Sequence, residues 1–199
     1  MPDTPETALD FGQTLDYARH LFDNYIDWYK NADAKAQVLL GLNGVFLGFL
    51  TKSTFTSADE LTKLTRGFGI TTWLLLAIMC GTMAMSIFSA IRCLWSRTYA
   101  AGELRDKLAS LGIVPGCEHY PPQAMWFFQL VHELKPDVFM ATLLTIDRKF
   151  ATVALGAQAI ELSRTVSIKH RWINIGFSCV SASLIVFLAA MVSYVAHVA

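Results

Sequence analysis

The chain alternates between long stretches without charge and stretches in which polar residues recur at helical spacing. Residues 67–91, GFGITTWLLLAIMCGTMAMSIFSAI, hold no Asp, Glu, Lys or Arg, and exceed the roughly 20 residues that cross a hydrocarbon core about 30 Å thick. Residues 172–199, WINIGFSCVSASLIVFLAAMVSYVAHVA, are equally free of these charges. Residues 36–51, AQVLLGLNGVFLGFLT, are shorter and carry Gln37 and Asn43, yet read as a third span on the same apolar-run criterion. The expected fold is all-α: a polytopic bundle of three transmembrane helices at 34–52, 68–91 and 172–197, with helical extensions and a small insert outside the membrane.

The polar stretches follow a helical period as well. In residues 7–31, Leu15, Ala18, Phe22, Tyr25 and Tyr29 recur every three or four positions while Asp16, Asp23 and Asp27 fall elsewhere. That spacing predicts an amphipathic helix over 1–33 running straight into the first span. Residues 92–171 open with a helix through SRTYAAGELRDKLASLG, ended by Gly112, followed by the Pro/Gly-rich loop GIVPGCEHYPP. MWFFQLVHEL comes next, then a turn at KPD, and then an almost uninterrupted helical pattern from about Val138 into the last span.

Basic residues near span ends set orientation. Arg92 and Arg97 follow the second span, and Arg164, Lys169 and Arg171 precede the third, so 92–171 is expected inside. Lys30 and Lys35 agree with a cytoplasmic N-terminus, and the connector 53–67, with Lys52, Lys63 and Arg66 at or near it, is left outside together with the C-terminus. The first residues, MPDTPETALDFGQ, lack a basic segment followed by an apolar one, so no cleaved signal is expected. The expected location is the inner membrane of a bacterium.

At 199 residues the chain is one domain's worth. Charged residues make up 16% against a soluble norm of about 25%, which agrees with the spans. The net charge is zero, so no bulk field draws the chain to nucleic acid, and an anion site has to be local. Cys80, Cys93, Cys117 and Cys179 have no C-x-x-C spacing, which indicates neither zinc nor a disulfide framework. No phosphate-cradling glycine loop, H-E-x-x-H or G-x-S-x-G occurs, and His119 and His132 are isolated, so neither an enzyme nor a cofactor or metal is indicated.

Within the spans the one strongly polar side chain is Asn43, suited to an interhelical hydrogen bond or a pore lining, and no ionisable residue marks an ion path. Gly44 with Gly48, and Ala77 with Gly81, form small-residue faces that let another helix approach, within the chain or in a second copy. In the insert, Arg148, Arg164, Lys169 and Arg171 accompany Trp126 and Phe127. Guanidinium groups hold phosphate bidentately and aromatic faces stack bases, so these six are candidates for a nucleotide site. The same cations also serve as ordinary inside-facing helix ends, and the aromatics as interfacial anchors.

Three segments in order, ADAKAQVLLGLNGVFLGFL, MWFFQLVHELKPD and QAIELSRTVSIKHRWIN, resemble the transmembrane Pycsar anti-phage effector family. The matching positions are Ala32, Lys35 and Ala36 before the first span, Phe127 and Phe128 after the second, and Gln158, Leu162, Ser163 and Lys169 before the last. The resemblance implies a two-component defence. A partner pyrimidine cyclase makes cyclic CMP or cyclic UMP on infection, the effector impairs the membrane in response, and the cell dies before phage is released. No separate cyclic-nucleotide domain is visible, so the ligand is expected on the insert or helix extensions. The competing reading is a constitutive membrane scaffold or transporter subunit without a soluble ligand.

Overall fold

The computed structural model describes residues 11–54, 62, 65, 67–95, 101–113, 117–126 and 128–198. Its α-helices are α1 (Phe11–Thr54), α2 (Ile70–Leu94), α3 (Ala101–Ser110), α4 (Phe128–Glu133), α5 (Pro136–Leu144) and α6 (Arg148–Val198), with a 3-10 turn at Pro122–Ala124. There is no strand among the described residues. Phe127, Arg97, Lys63 and Arg66 lie outside the described residues.

Three helical segments are long and apolar enough to cross a membrane: Gly12–Lys52, Ile70–Leu94 and Arg148–His197. The apolar amphipathic positions explain why two of them continue far beyond a bilayer's thickness. In α1 the least exposed side chains are Leu15, Ala18, Phe22, Tyr25, Tyr29, Ala32, Ala36, Leu39 and Asn43. In α6 they include Leu155, Ala159, Val166, Lys169, Ile173, Gly176, Val180 and Ser183. The α1 series alternates steps of three and four throughout, and the α6 series does so from Val166 onward, a heptad register that keeps one seam of each helix facing its neighbours.

The chain divides into two compact units. The span unit comprises Lys30–Trp95 and Ser167–Ala199. Its core packs Ala32, Ala36 and Leu39 of α1 against Ala90 and Cys93 of α2 and Ile173 and Val180 of α6. Asp33 meets Lys169 and Leu39 meets Gly176, so α1 and α6 run parallel. Ser89 meets Trp172, Ser86 meets Gly176 and Thr72 meets Ser193, so α2 runs antiparallel to α6.

Aromatic clusters mark both ends of this bundle. At one end Trp172 packs edge-on with Phe88 at 5.9 Å and lies under the Arg92 guanidinium at 5.8 Å. At the other, Phe68 packs edge-on with Trp73 at 5.4 Å and with Tyr194 at 5.5 Å. Trp172 and Tyr194 are 22 positions apart on α6, roughly 33 Å at 1.5 Å per residue, which matches a hydrocarbon core bounded by aromatic belts.

The polar unit comprises the chain up to Tyr29 and Ser96–Val166. One cluster joins Leu15, Ala18 and Phe22 of α1 to Ala151 and Leu155 of α6. A second gathers Tyr120, Met125 and Leu134 with Leu108, Ile113, Val138, Phe139 and Phe150. Gly112 ends α3 at φ 73°, a left-handed conformation that frees Ile113 N–H to reach the Leu108 carbonyl at 3.1 Å. Pro136 opens α5, where its missing N–H costs nothing. The helical pattern from Val138 is not continuous, because α5 stops at Leu144 and α6 starts at Arg148. Asp147 explains the restart: its Oδ1 accepts the Phe150 N–H at 2.6 Å as an N-terminal cap.

Candidate functional site

Of the residues expected to hold an anion, Arg148, Arg164 and Trp126 belong to the polar unit, whereas Lys169 and Arg171 belong to the span unit. Arg148 and Arg164 are both exposed but stand 16 positions apart on α6, about 24 Å along the axis, so the helix does not bring them onto one mononucleotide. Arg148 and the exposed Lys149 form the first turn of α6, where the helix dipole adds to their positive potential. Arg164 sits 3.6 Å from Glu161, and Glu161 is also 3.6 Å from Lys107 of α3, giving a small surface network of two cations on one carboxylate.

Trp126 stands edge-on to Phe22 at 6.0 Å and remains 45% exposed, which leaves part of the indole open to a ligand. Behind it the loop is braced internally. Tyr120 N–H donates to Thr142 Oγ1 at 3.0 Å, Lys135 N–H donates to the Tyr120 hydroxyl at 3.0 Å, and Thr142 Oγ1 donates to the Val138 carbonyl at 2.8 Å.

Lys169 is 5% exposed and its ammonium is bound to the Asp33 carboxylate. It occupies a seam position of α6, between Val166 and Ile173, while Arg164 and Arg171 lie off the seam in solvent. Its most direct role is therefore to hold α1 against α6 where the span unit begins. The charge that sequence alone offers to a ligand is engaged by a neighbouring helix.

The small residues expected to line helix contacts, within the chain or in a second copy, face outward. Gly44, Gly48, Gly81 and Ala77 are exposed, and a Cβ added to any of the three glycines would meet no atom of the described residues within 4 Å. The close approach within the chain is at Gly176, where an added Cβ would overlap Leu39 Cδ2 and lie 3.4 Å from the Ser89 hydroxyl. Asn43 is buried in the interior: its amide donates to the Leu39 carbonyl at 2.8 Å and to Ser86 Oγ at 2.9 Å, and Ser86 donates onward to the Gly176 carbonyl at 3.0 Å. Asn43 and Ser86 in relay thus tie all three helices.

Among the described residues, no group of three or more His, Cys, Asp or Glu is placed to hold a metal ion. A cavity of about 230 Å³ opens at the Tyr194 end of the span unit, lined by Gly69, Thr71, Thr72, Ser193, Ala196 and His197.

These features define a class: a multi-pass, all-α membrane protein whose span-length helices carry a polar helical unit with exposed cations. The Pycsar effector protein domain matches residues 17–196, nearly the whole chain. The chain belongs to that family, and is thereby an effector of the anti-phage Pycsar type. No curated protein sequence and no solved structure matches it.

Proposed function

We propose that this chain is a nucleotide-gated effector of the bacterial inner membrane. A partner pyrimidine cyclase makes cyclic CMP or cyclic UMP, the nucleotide binds the polar unit, and the span unit then impairs the bilayer. The family match over residues 17–196 carries this reading. The absence of an enzyme's constellation in the sequence agrees with it. The N-terminus and the polar unit face the cytoplasm, where the nucleotide is made, and the C-terminus faces the periplasm, a reading the flanking arginines support.

The phosphate site centres on Arg164, with Lys107 beside it, and the partly open Trp126 indole or Phe127 provides a stacking face. Arg148 and Lys149 at the start of α6 are the alternative phosphate anchor. The nucleotide has to bind one arrangement of the helices better than the other, since a ligand of equal affinity for both shifts nothing. Copies associate through the outward faces holding Gly44, Gly48, Ala77 and Gly81, which are exposed.

Binding of labelled cyclic CMP and cyclic UMP to the detergent-solubilised chain tests the reading. A charged hydrogen bond to phosphate is worth about 1.5–3 kcal/mol, so Arg164→Ala weakens binding roughly ten-fold or more. Unchanged affinity in the Arg148→Ala, Arg164→Ala double variant refutes the site, and no binding of either nucleotide to the native chain refutes the gating.

A further inference from the structure

The interior of the span unit is unusually polar for a bundle of membrane helices. The buried face of α2 is Thr72, Met79, Met83, Ser86, Ser89, Ala90 and Cys93, more than half of it hydroxyl, thiol or methyl-sized. Following α6 from one aromatic belt to the other, polar groups recur at successive levels. Asp33 with Lys169 comes first, then Ser89 on the Trp172 carbonyl, then Asn43 with Ser86 on the Gly176 carbonyl. Ser183 follows, and Thr72 with Ser193 at 3.2 Å completes the series beside the open cavity that His197 lines.

Small hydroxyls bonded to backbone carbonyls are common glue between membrane helices. Two atoms of this series do not fit that account. Asn43 Oδ1 and Ser183 Oγ have no hydrogen-bond partner among the described residues, although Asn43 is 1% and Ser183 0% exposed. A polar atom held in hydrocarbon without a partner is costly, and it is satisfied as soon as water reaches it.

We propose that the span unit contains a latent proton path. The column of hydroxyl and amide groups between α1, α2 and α6 is closed by the apolar layers of Met79, Met83 and Val180, and it carries protons through a single file of water once those layers part. Hydroxyls, the Asn43 amide and water donate and accept in turn, so protons hop along the file while larger solutes are excluded by width. Apolar constrictions of this kind close by shedding water and open when slightly widened or made more polar. Asn43 Oδ1 and Ser183 Oγ, on either side of Val180 along the column, are the first groups that entering water satisfies. The gap from Ser183 to the Gly176 level spans seven residues, about 10 Å, and needs intervening water. For its biological purpose the path rests on the effector reading above, to which it gives a mechanism: collapse of the proton gradient without gross rupture.

The test uses the full chain in phosphatidylethanolamine–phosphatidylglycerol vesicles with a trapped pH dye, a potassium gradient and valinomycin to balance charge, and no nucleotide. Val180→Asn makes the apolar layer polar and is expected to raise proton flux at least ten-fold over the native chain, with the dye retained. Adding Ser183→Leu returns the flux to the native level, and Val192→Asn, at a position 70% exposed on the outside of the bundle, leaves it unchanged. Val180→Thr preserves the shape of valine and gives the same direction of change if the Asn variant fails to fold. Flux no higher in the Val180 variants than in Val192→Asn, or flux accompanied by dye loss, overturns the path. Because nucleotide is omitted, this outcome is independent of gating. Should the Val180 variants conduct while cyclic CMP and cyclic UMP leave the native chain silent, the gating reading fails and the path stands.

Discussion

Lys169 gives the sharpest quantitative expectation about the fold. Its side chain is 6% exposed and that of Asp33, its partner across α1 and α6, is 28% exposed. Replacing Lys169 by Met keeps the length and apolar stem but strands the Asp33 carboxylate against the bundle. Breaking a buried pair by removing one partner costs about 3–5 kcal/mol, and the water still reaching Asp33 places this pair at the low end, about 3 kcal/mol, or roughly a hundred-fold in the folding equilibrium. Replacing both, in Asp33→Leu with Lys169→Met, removes the stranded charge and restores most of that loss, because a buried ion pair is itself hardly better than a well-packed apolar contact. Equilibrium unfolding of the purified chain in mixed micelles measures all four corners of this cycle, and a coupling energy of about 2 kcal/mol is expected. Single variants within about 0.5 kcal/mol of the native chain, with no coupling, would show that Lys169 is free for a ligand and that the seam is wrongly assigned.

Three further outcomes follow from the packing and topology. Gly176→Ala forces a methyl group into Leu39, which is fully buried, and should destabilise by about 1–3 kcal/mol in the same unfolding assay, with partial recovery on adding Leu39→Ala. Gly44→Leu adds its side chain on an exposed face where even a Cβ meets no described atom within 4 Å, so unfolding of the monomer is expected to change little while assembly measured by size in mild detergent falls; a native chain that is monomeric with and without nucleotide sinks the interface. A phosphatase reporter fused after Leu111 is expected to be silent and one fused after Ala199 active, and the reverse pattern contradicts the orientation.

The three spans were legible in the sequence because uncharged runs of this length have few other physical solutions, and the resemblance to the Pycsar effectors agrees with the family match. The amphipathic start of α1 was legible too, since Leu15, Ala18 and Phe22 are its packed face. The anion site was much less so. Charge and proximity in sequence grouped Lys169 with Arg164 and Arg171, but the three-and-four spacing through Val166, Ile173 and Val180 puts Lys169 on the seam and the two arginines off it. That spacing was available in the sequence, while Asp33 as the partner was not, because 136 residues separate them.

The glycines carry a similar lesson. Gly44 and Gly48 attract attention by their spacing, yet the contact that needs a glycine is at Gly176, a single residue opposite a single leucine. No pattern on one helix reveals which of its small residues will face a large side chain on another. The restart of α6 after Asp147 was similarly hidden, since one capping carboxylate interrupts an apolar pattern that otherwise continues.

The central claim, that a cyclic pyrimidine nucleotide turns this chain into a membrane-impairing effector, is tested most directly by proton flux in the proteoliposomes described above. Cyclic CMP or cyclic UMP should raise the flux at least ten-fold in vesicles holding the native chain, with no response to cyclic AMP and with Arg164→Ala needing roughly ten-fold more nucleotide for the same response. A flux equal with and without either pyrimidine nucleotide, in vesicles where the chain is shown to be inserted, would contradict the account.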